Sequence, residues 1–190
     1  MIQLSDDDII LIETAAAVIT DRRRGFAPQR NWKATKEQDG YGAEGVFRRE
    51  SGCAWRPRVY DDVYGDGGVD FTALDENGIP VTIDVKRSSR GYKEFWLAVP
   101  TVPVQLADIV VFVEIDTQFW RGESFGWARG RDVVGCKVRE TWGGTPSWIV
   151  PGPLAPIYTL RITDVQQHIM PGRRLVDLDQ HIGRPRREPA

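Results

Sequence analysis

The sequence predicts an α/β domain. Three observations carry that expectation: an amphipathic helical stretch near the N-terminus, two alternating segments whose register agrees across a short turn, and an almost wholly apolar strand further on. In residues 6–24, Ile9, Ile12, Ala16 and Ile19 recur at helical spacing. Ser5 and Asp8 have the spacing of a capping box, and Arg22, Arg23 and Arg24 suit the C-terminal end before Gly25. Residues 25–38 read as a loop. Asp39 caps a second helix over 40–51, which Gly52 ends. Strands are expected at 54–60, at 68–74 and 80–87 on either side of Glu76-Asn77-Gly78, and at 94–99; an acidic, Gly-rich turn fills 61–68. Residues 108–115 are apolar at nearly every position, the pattern of a central strand covered on both faces. Strands at 123–129 and 157–162 follow, with a Gly/Pro-rich connection over 143–156.

The chain has 190 residues, 41% hydrophobic and 27% charged, which fits one domain over 1–182 followed by a basic, Pro/Arg-rich tail at 183–190 that reads as disordered. Its two cysteines, Cys53 and Cys136, form no Cys-x-x-Cys, so neither a disulfide framework nor a Cys-rich zinc site is expected. No stretch is apolar enough to cross a bilayer, and Asp6, Asp7 and Asp8 stand where a signal peptide carries positive charge. The expectation is a soluble, cytoplasmic protein with no membrane partner. A net charge of −2 excludes a globally basic nucleic-acid binder but not local basic patches.

The stretch from Gly67 to Lys86 carries the chemistry. With Glu76-Asn77-Gly78 as a three-residue loop and Gly78 left-handed, Asp75 faces Ile79. Val69 then faces Val85, Phe71 faces Ile83 and Ala73 faces Val81, which makes one apolar face. On the other face Thr72 meets Thr82, Asp70 meets Asp84 and Gly68 meets Lys86. A slip of one residue would put the carboxylates in the core. Opposed strand residues have Cβ atoms about 4.5–5.5 Å apart, and like charges repel there. Asp70 and Asp84 in that position point to a divalent cation between them. Hard oxygen ligands without His or Cys suit Mg²⁺, with Mn²⁺ able to substitute. Lys86 lies on the same side as Asp84, placed to orient a metal-bound water or to offset charge developing on a phosphate. An Asp-x-Lys by itself is an ordinary surface tripeptide; Asp70 in register and the apolar reverse face single this one out.

These residues resemble the PD-(D/E)XK nuclease superfamily, whose pattern is an Asp at the start of one strand, Asp/Glu-x-Lys on the next, and often a helical Glu before them. Asp70 matches the first acid, Asp84-Val85-Lys86 the second element, and Glu44 in Gly42-Ala43-Glu44-Gly45 the helical Glu. The resemblance covers residues 40–115. It implies a restriction-endonuclease-like fold, a central mixed β-sheet flanked by helices, and Mg²⁺-dependent hydrolysis of phosphodiester bonds, chiefly in DNA. It also implies Asp70, Asp84 and the Val85 carbonyl as metal ligands, Glu44 acting directly or through water, and Lys86 positioning the attacking water. Val69 replaces the proline that names the motif. No Gln-x-x-x-Tyr follows Lys86, which points away from the exonucleases of the superfamily and toward an endonuclease.

A nucleic acid would pass the basic residues that leave the site. Arg87, Ser88, Arg90 and Lys93 follow Lys86 with no acid among them, and Arg30 and Lys33 belong to a run of six basic residues between Arg22 and Lys36. Two rival readings remain. The chain could be a catalytically inactive relative that binds DNA or protein, although Asp70, Asp84 and Lys86 are all present. Gly122-Glu123-Ser124-Phe125-Gly126 has the spacing of a hydrolase nucleophile elbow, with Asp164 and His168 following in order. An elbow needs a helix leaving Ser124 at once, whereas the pattern continues as a strand. Seven Trp fit a homodimer interface as well as they fit a core.

Overall fold

A seven-stranded mixed sheet organises the protein, built outward from the hairpin whose register the alternation predicts. The computed structural model describes residues 1–26, 34–61, 68–88, 94–99, 106–140 and 146–183. In chain order the elements are β1 (Ile2–Gln3), α1 (Asp6–Phe26), α2 (Ala34–Ser51), β2 (Phe71–Asp75), β3 (Pro80–Arg87), β4 (Glu94–Ala98), β5 (Ile109–Asp116), β6 (Arg121–Arg129), α3 (Gly130–Val134), β7 (Lys137–Glu140), β8 (Pro146–Pro151), β9 (Ala155–Pro156) and β10 (Ile162–Gln167). The large sheet runs β1-β6-β5-β3-β2-β10, with β9 pairing β6; β4, β8 and β7 form a second, three-stranded sheet. Only β3 and β5 run parallel among the paired strands described; the rest are antiparallel.

The β2–β3 hairpin keeps the predicted pairing: Phe71 faces Ile83, Thr72 faces Thr82 and Ala73 faces Val81. Its turn is held by Gly78 at φ +75°, a conformation open to glycine at no steric cost, and by Asp75, whose carboxylate accepts the N–H groups of Asn77 and Ile79 at 2.8 Å each. Strand β5 is central as its composition predicts. One face sends Ile109, Val111, Val113 and Ile115 into a core with Phe71, Ile83 and Val85, covered by Ile12 of α1 and Ala43, Val46 and Phe47 of α2. The other sends Val110 and Phe112 against Phe95, Leu97, Trp148 and Val150 of the small sheet and Val133 of α3. Burying each such side chain contributes about 1.5–3 kcal/mol. The architecture is a mixed β-sheet flanked by helices, with α1 and α2 on one face and α3 with the small sheet on the other.

Helix α1 starts at its capping box. The Ser5 hydroxyl donates to Asp8 at 2.7 Å, and Arg49, near the end of α2, donates to the same carboxylate at 2.7 Å. Burial opposes ionisation of Asp8, yet the bonds from Ser5 and Arg49 and the charge of Arg48 outweigh it and hold the carboxyl below its ordinary value. No helix among the described residues is long and apolar enough to cross a membrane.

Several expected elements differ. Helix α2 begins at Ala34, within the expected loop, because Ala34, Lys36, Glu37 and Gln38 are good helix formers and Glu37 pairs with Arg23 of α1. Asp39 is therefore an interior residue, not a cap. Gly52 does end the helix, at φ +70°. Residues 54–60 form no strand. They run extended under the C-terminal segment, with one bridge from Tyr60 to Leu175 and a Val176 N–H donating to the Val59 carbonyl at 2.7 Å. The strand expected at 157–162 is instead a 3-10 turn at Ile157–Thr159 followed by β10; the Thr159 hydroxyl donates to the Pro156 carbonyl and tightens that turn. The connection expected over 143–156 contains β8 and β9, and β7 was not expected. Most of the turn at 61–68 and of the tail at 183–190 lies outside the described residues.

Candidate functional site

Regular pairing in the hairpin stops at Phe71, and the site begins where it stops. Asp70 donates its N–H to the Ile83 carbonyl at 2.8 Å, so Asp70 and Phe71 both fall opposite Ile83 as in a β-bulge. The Asp70 carboxylate then accepts the Val85 N–H at 2.7 Å. A side chain thus takes the ladder position that a backbone carbonyl would hold. Asp70 and Asp84 are consequently not direct cross-strand partners, and neither Gly68 with Lys86 nor Val69 with Val85 appears in the ladder; this corrects the expected pairing at that end. The bulge moves the Asp70 carboxylate onto the amide between Asp84 and Lys86. Asp84 and Lys86, the residues on either side of Val85, form an ion pair at 2.6 Å.

Both acids are buried, Asp70 at 3% and Asp84 at 2% exposure. Isolated carboxylates at such depth are costly, and each faces a cation. Lys86 Nζ lies 2.6 Å from Asp84 Oδ1. Arg58 Nη2 lies 3.3 Å from Asp70 Oδ1, with both side chains about 95% buried. Arg58 also donates through Nη1 to the His168 carbonyl, and the His168 N–H donates to the Asp70 carbonyl at 2.9 Å. Tyr41 of α2 fixes the same segment by donating to the Arg58 carbonyl at 2.8 Å. The chain after β10 therefore forms one wall of the site, fastened by a Met170 N–H to the Tyr60 hydroxyl and by Arg173 stacked on the Tyr60 ring.

Glu44 is 7% exposed and accepts the Trp55 indole N–H at 3.0 Å. The Trp55 ring packs over Gly45, at ordinary contact distance from where a Cβ would lie. Helix α2 packs on the face of β3 that carries Ile83 and Val85. Asp84 and Lys86 alternate with these residues and share the face of their β5 partners Val110 and Phe112. Glu44 and the Asp84–Lys86 pair thus approach the sheet from different sides. Among the described residues no group of three or more His, Cys, Asp or Glu is placed to hold a metal ion. The hard carboxylates of Asp84 on β3 and of Asp70, bonded to the Val85 N–H, remain as candidate donors. That suits a cation keeping several waters, since Mg²⁺ is commonly held by one or two carboxylates plus substrate oxygens.

Of the expected nucleic-acid contacts, Arg87 is exposed and lies 3.7 Å from Asp39. Ser88 donates its N–H to the Val113 carbonyl at 2.8 Å. Arg30, Lys33, Arg90 and Lys93 lie outside the described residues. Ser124 sits inside β6, its N–H bonded to Glu50 at 2.9 Å, with strand on both sides, so it occupies no strand-to-helix elbow. Asp164 is on β10, at the far edge of the same sheet. A cavity of about 690 Å³ opens at the turn end of the hairpin, lined among others by Asp75, Val81, Asp108, Trp127, Arg129 and Arg161; it contains none of Glu44, Asp70, Asp84 or Lys86.

Arg58 and Trp55 had no local signal. In the expected strand over 54–60, Arg58 occupies an ordinary polar position, and its partners Asp70 and His168 come from elsewhere in the chain.

The fold and site together define an α/β protein with a mixed sheet and, near the end of β3, two buried acids that each face a cation. Compared with protein-family models, curated proteins and solved structures, the chain gives no significant match to any.

Proposed function

We propose that this protein is a Mg²⁺-dependent nuclease with a restriction-endonuclease-like fold, hydrolysing phosphodiester bonds in DNA as an endonuclease. One observation carries the reading: the Asp70 carboxylate is bonded to the amide of Val85, between an Asp84 and a Lys86 that lie 2.6 Å apart. The three groups of the Asp…Asp-x-Lys pattern are thus linked through residues 84–86, and both acids are buried. Asp70 and Asp84 would hold the ion, with the Val85 carbonyl as a further oxygen. A bound Mg²⁺ polarises the phosphate and lowers the pKa of a coordinated water. Lys86 orients that water and offsets charge on the phosphate, and Asp84 in turn fixes the direction of the ammonium. Glu44, held by Trp55 on the helix side of the sheet, lies across the sheet from the Asp84–Lys86 pair and is left out of the proposed ion set. Arg87, Ser88, Arg90, Lys93, Arg30 and Lys33 would track the DNA backbone.

A second reading, a non-catalytic DNA- or protein-binding module, is favoured by a different observation: each acid already faces a cation of the chain, Arg58 or Lys86. One experiment separates the two. Supercoiled, linear, single-stranded and branched DNA are incubated with Mg²⁺ or Mn²⁺. Cleavage that is lost with EDTA and with Lys86→Ala supports the nuclease; intact DNA in every case supports the module.

A further inference from the structure

We propose that Arg58 is a resident counter-cation on Asp70, and that a divalent ion reaches the site by displacing it. Metal loading is then an exchange of one cation for another. This deepens the proposed metal site and rests on it.

A guanidinium buried as deeply as that of Arg58 needs a compensating charge, and Asp70 supplies it. The contact is nevertheless an incomplete one. Its 3.3 Å separation exceeds the distance of about 2.7–2.9 Å typical of charge-assisted bonds, and one guanidinium nitrogen makes it where a two-pronged fork is available. Arg58 Nε–H is buried and meets no acceptor among the described residues. The Lys86–Asp84 pair is tighter, at 2.6 Å. Of the two cations, Arg58 is therefore the more weakly held by its acid. It also keeps a second anchor, the His168 carbonyl, when it leaves Asp70.

Charge balance points the same way. Asp70, Asp84, Arg58 and Lys86 together are neutral. Adding a doubly charged ion beside these four groups leaves two uncompensated charges, whereas withdrawal of the guanidinium from the carboxylate relieves one of them. A phosphodiester, with its single negative charge, relieves the other. Arg58 thus makes the free protein bind metal weakly and makes an incoming phosphate strengthen that binding.

The test is Mn²⁺ binding to the full chain, read as free hexaaqua Mn²⁺ by electron paramagnetic resonance. In Arg58→Gln the dissociation constant falls about tenfold relative to wild type, and Asp84→Asn removes the binding in either background. Equal or weaker Mn²⁺ binding in Arg58→Gln, still sensitive to Asp84→Asn, overturns the exchange and leaves the metal site standing. No binding sensitive to Asp84→Asn in either protein removes both. Should Arg58→Gln fail to fold, wild type carries the test. The Arg58 Nε–H resonance, assigned by its loss in Arg58→Lys, shifts and saturates as Mg²⁺ is added, and does not do so in Asp84→Asn. A signal indifferent to Mg²⁺ overturns the proposal.

Discussion

Strand β2 has an aspartate at each end, and the two do opposite things. Asp75, partly exposed at the turn, gives its carboxylate to two backbone N–H groups and fixes the loop around Gly78. Asp70, buried at the open end, breaks the ladder, takes the Val85 amide onto its side chain and faces Arg58. The first neutralises its charge with backbone dipoles and needs nothing further. The second faces a long cationic side chain at a point where the sheet has been re-aimed by a bulge. One residue type therefore serves the fold at one end and the proposed chemistry at the other. Depth and partner, not sequence context, distinguish them.

Substitutions sharpen that contrast. Under the nuclease reading, Asp70→Asn and Asp84→Asn each lower Mg²⁺-dependent plasmid cleavage by about a thousandfold, while Asp75→Asn keeps it near wild type. Equal losses at Asp70 and Asp75 would erase the distinction. Lys86→Ala reduces single-turnover cleavage by about 10²- to 10⁴-fold without moving the thermal midpoint much, because its side chain is more than a third exposed.

Stability separates the two ends in the other direction. Arg58→Met strands the Asp70 charge and costs about 3–5 kcal/mol by urea unfolding, and the Arg58→Met/Asp70→Asn double variant recovers part of that loss. A double variant no better than Arg58→Met would show that the arginine stabilises mainly through His168.

The smallest effect belongs to the turn. The Ile79 N–H, then that of Asn77, holds the Asp75 carboxyl below its ordinary 3.8, so the unfolded chain takes up that proton first. Its stabilisation is complete above the ordinary value and fades as pH falls through the lowered one. The gap in thermal midpoint between wild type and Asp75→Asn should therefore be steady near neutrality and close in acid. A gap indifferent to acid would mean that Asp75 does not hold the turn as an anion.

The hairpin was legible because its information is local. Glu76-Asn77-Gly78 sets the turn, and the alternation of Phe71, Ala73, Val81, Ile83 and Val85 admits only one face for the core. Strand β5 was legible from composition, since Val110 to Val113 are apolar on both faces. The break at Asp70 was not, because strand alternation extrapolates a ladder past the point where a side chain replaces a backbone acceptor. Arg58 meets partners that strand alternation does not relate to it, Asp70 and, more than a hundred positions away, His168. The early start of α2 depended on an ion pair between helices, Arg23 with Glu37. The last third looked uninformative because β7 and β8 pair mostly with each other and with β4, and because residues 168–176 act as a wall without regular structure of their own. Local pattern identified Asp70, Asp84 and Lys86; long-range contacts supplied Arg58.

The most direct test is a crystal structure of the protein soaked with Mn²⁺, with anomalous data collected at the manganese edge. One peak is expected within bonding distance of carboxylate oxygens from both Asp70 and Asp84, with the Arg58 guanidinium withdrawn from Asp70. Crystals saturated with Mn²⁺ in which Arg58 still pairs with Asp70 and no peak touches either carboxylate would contradict it.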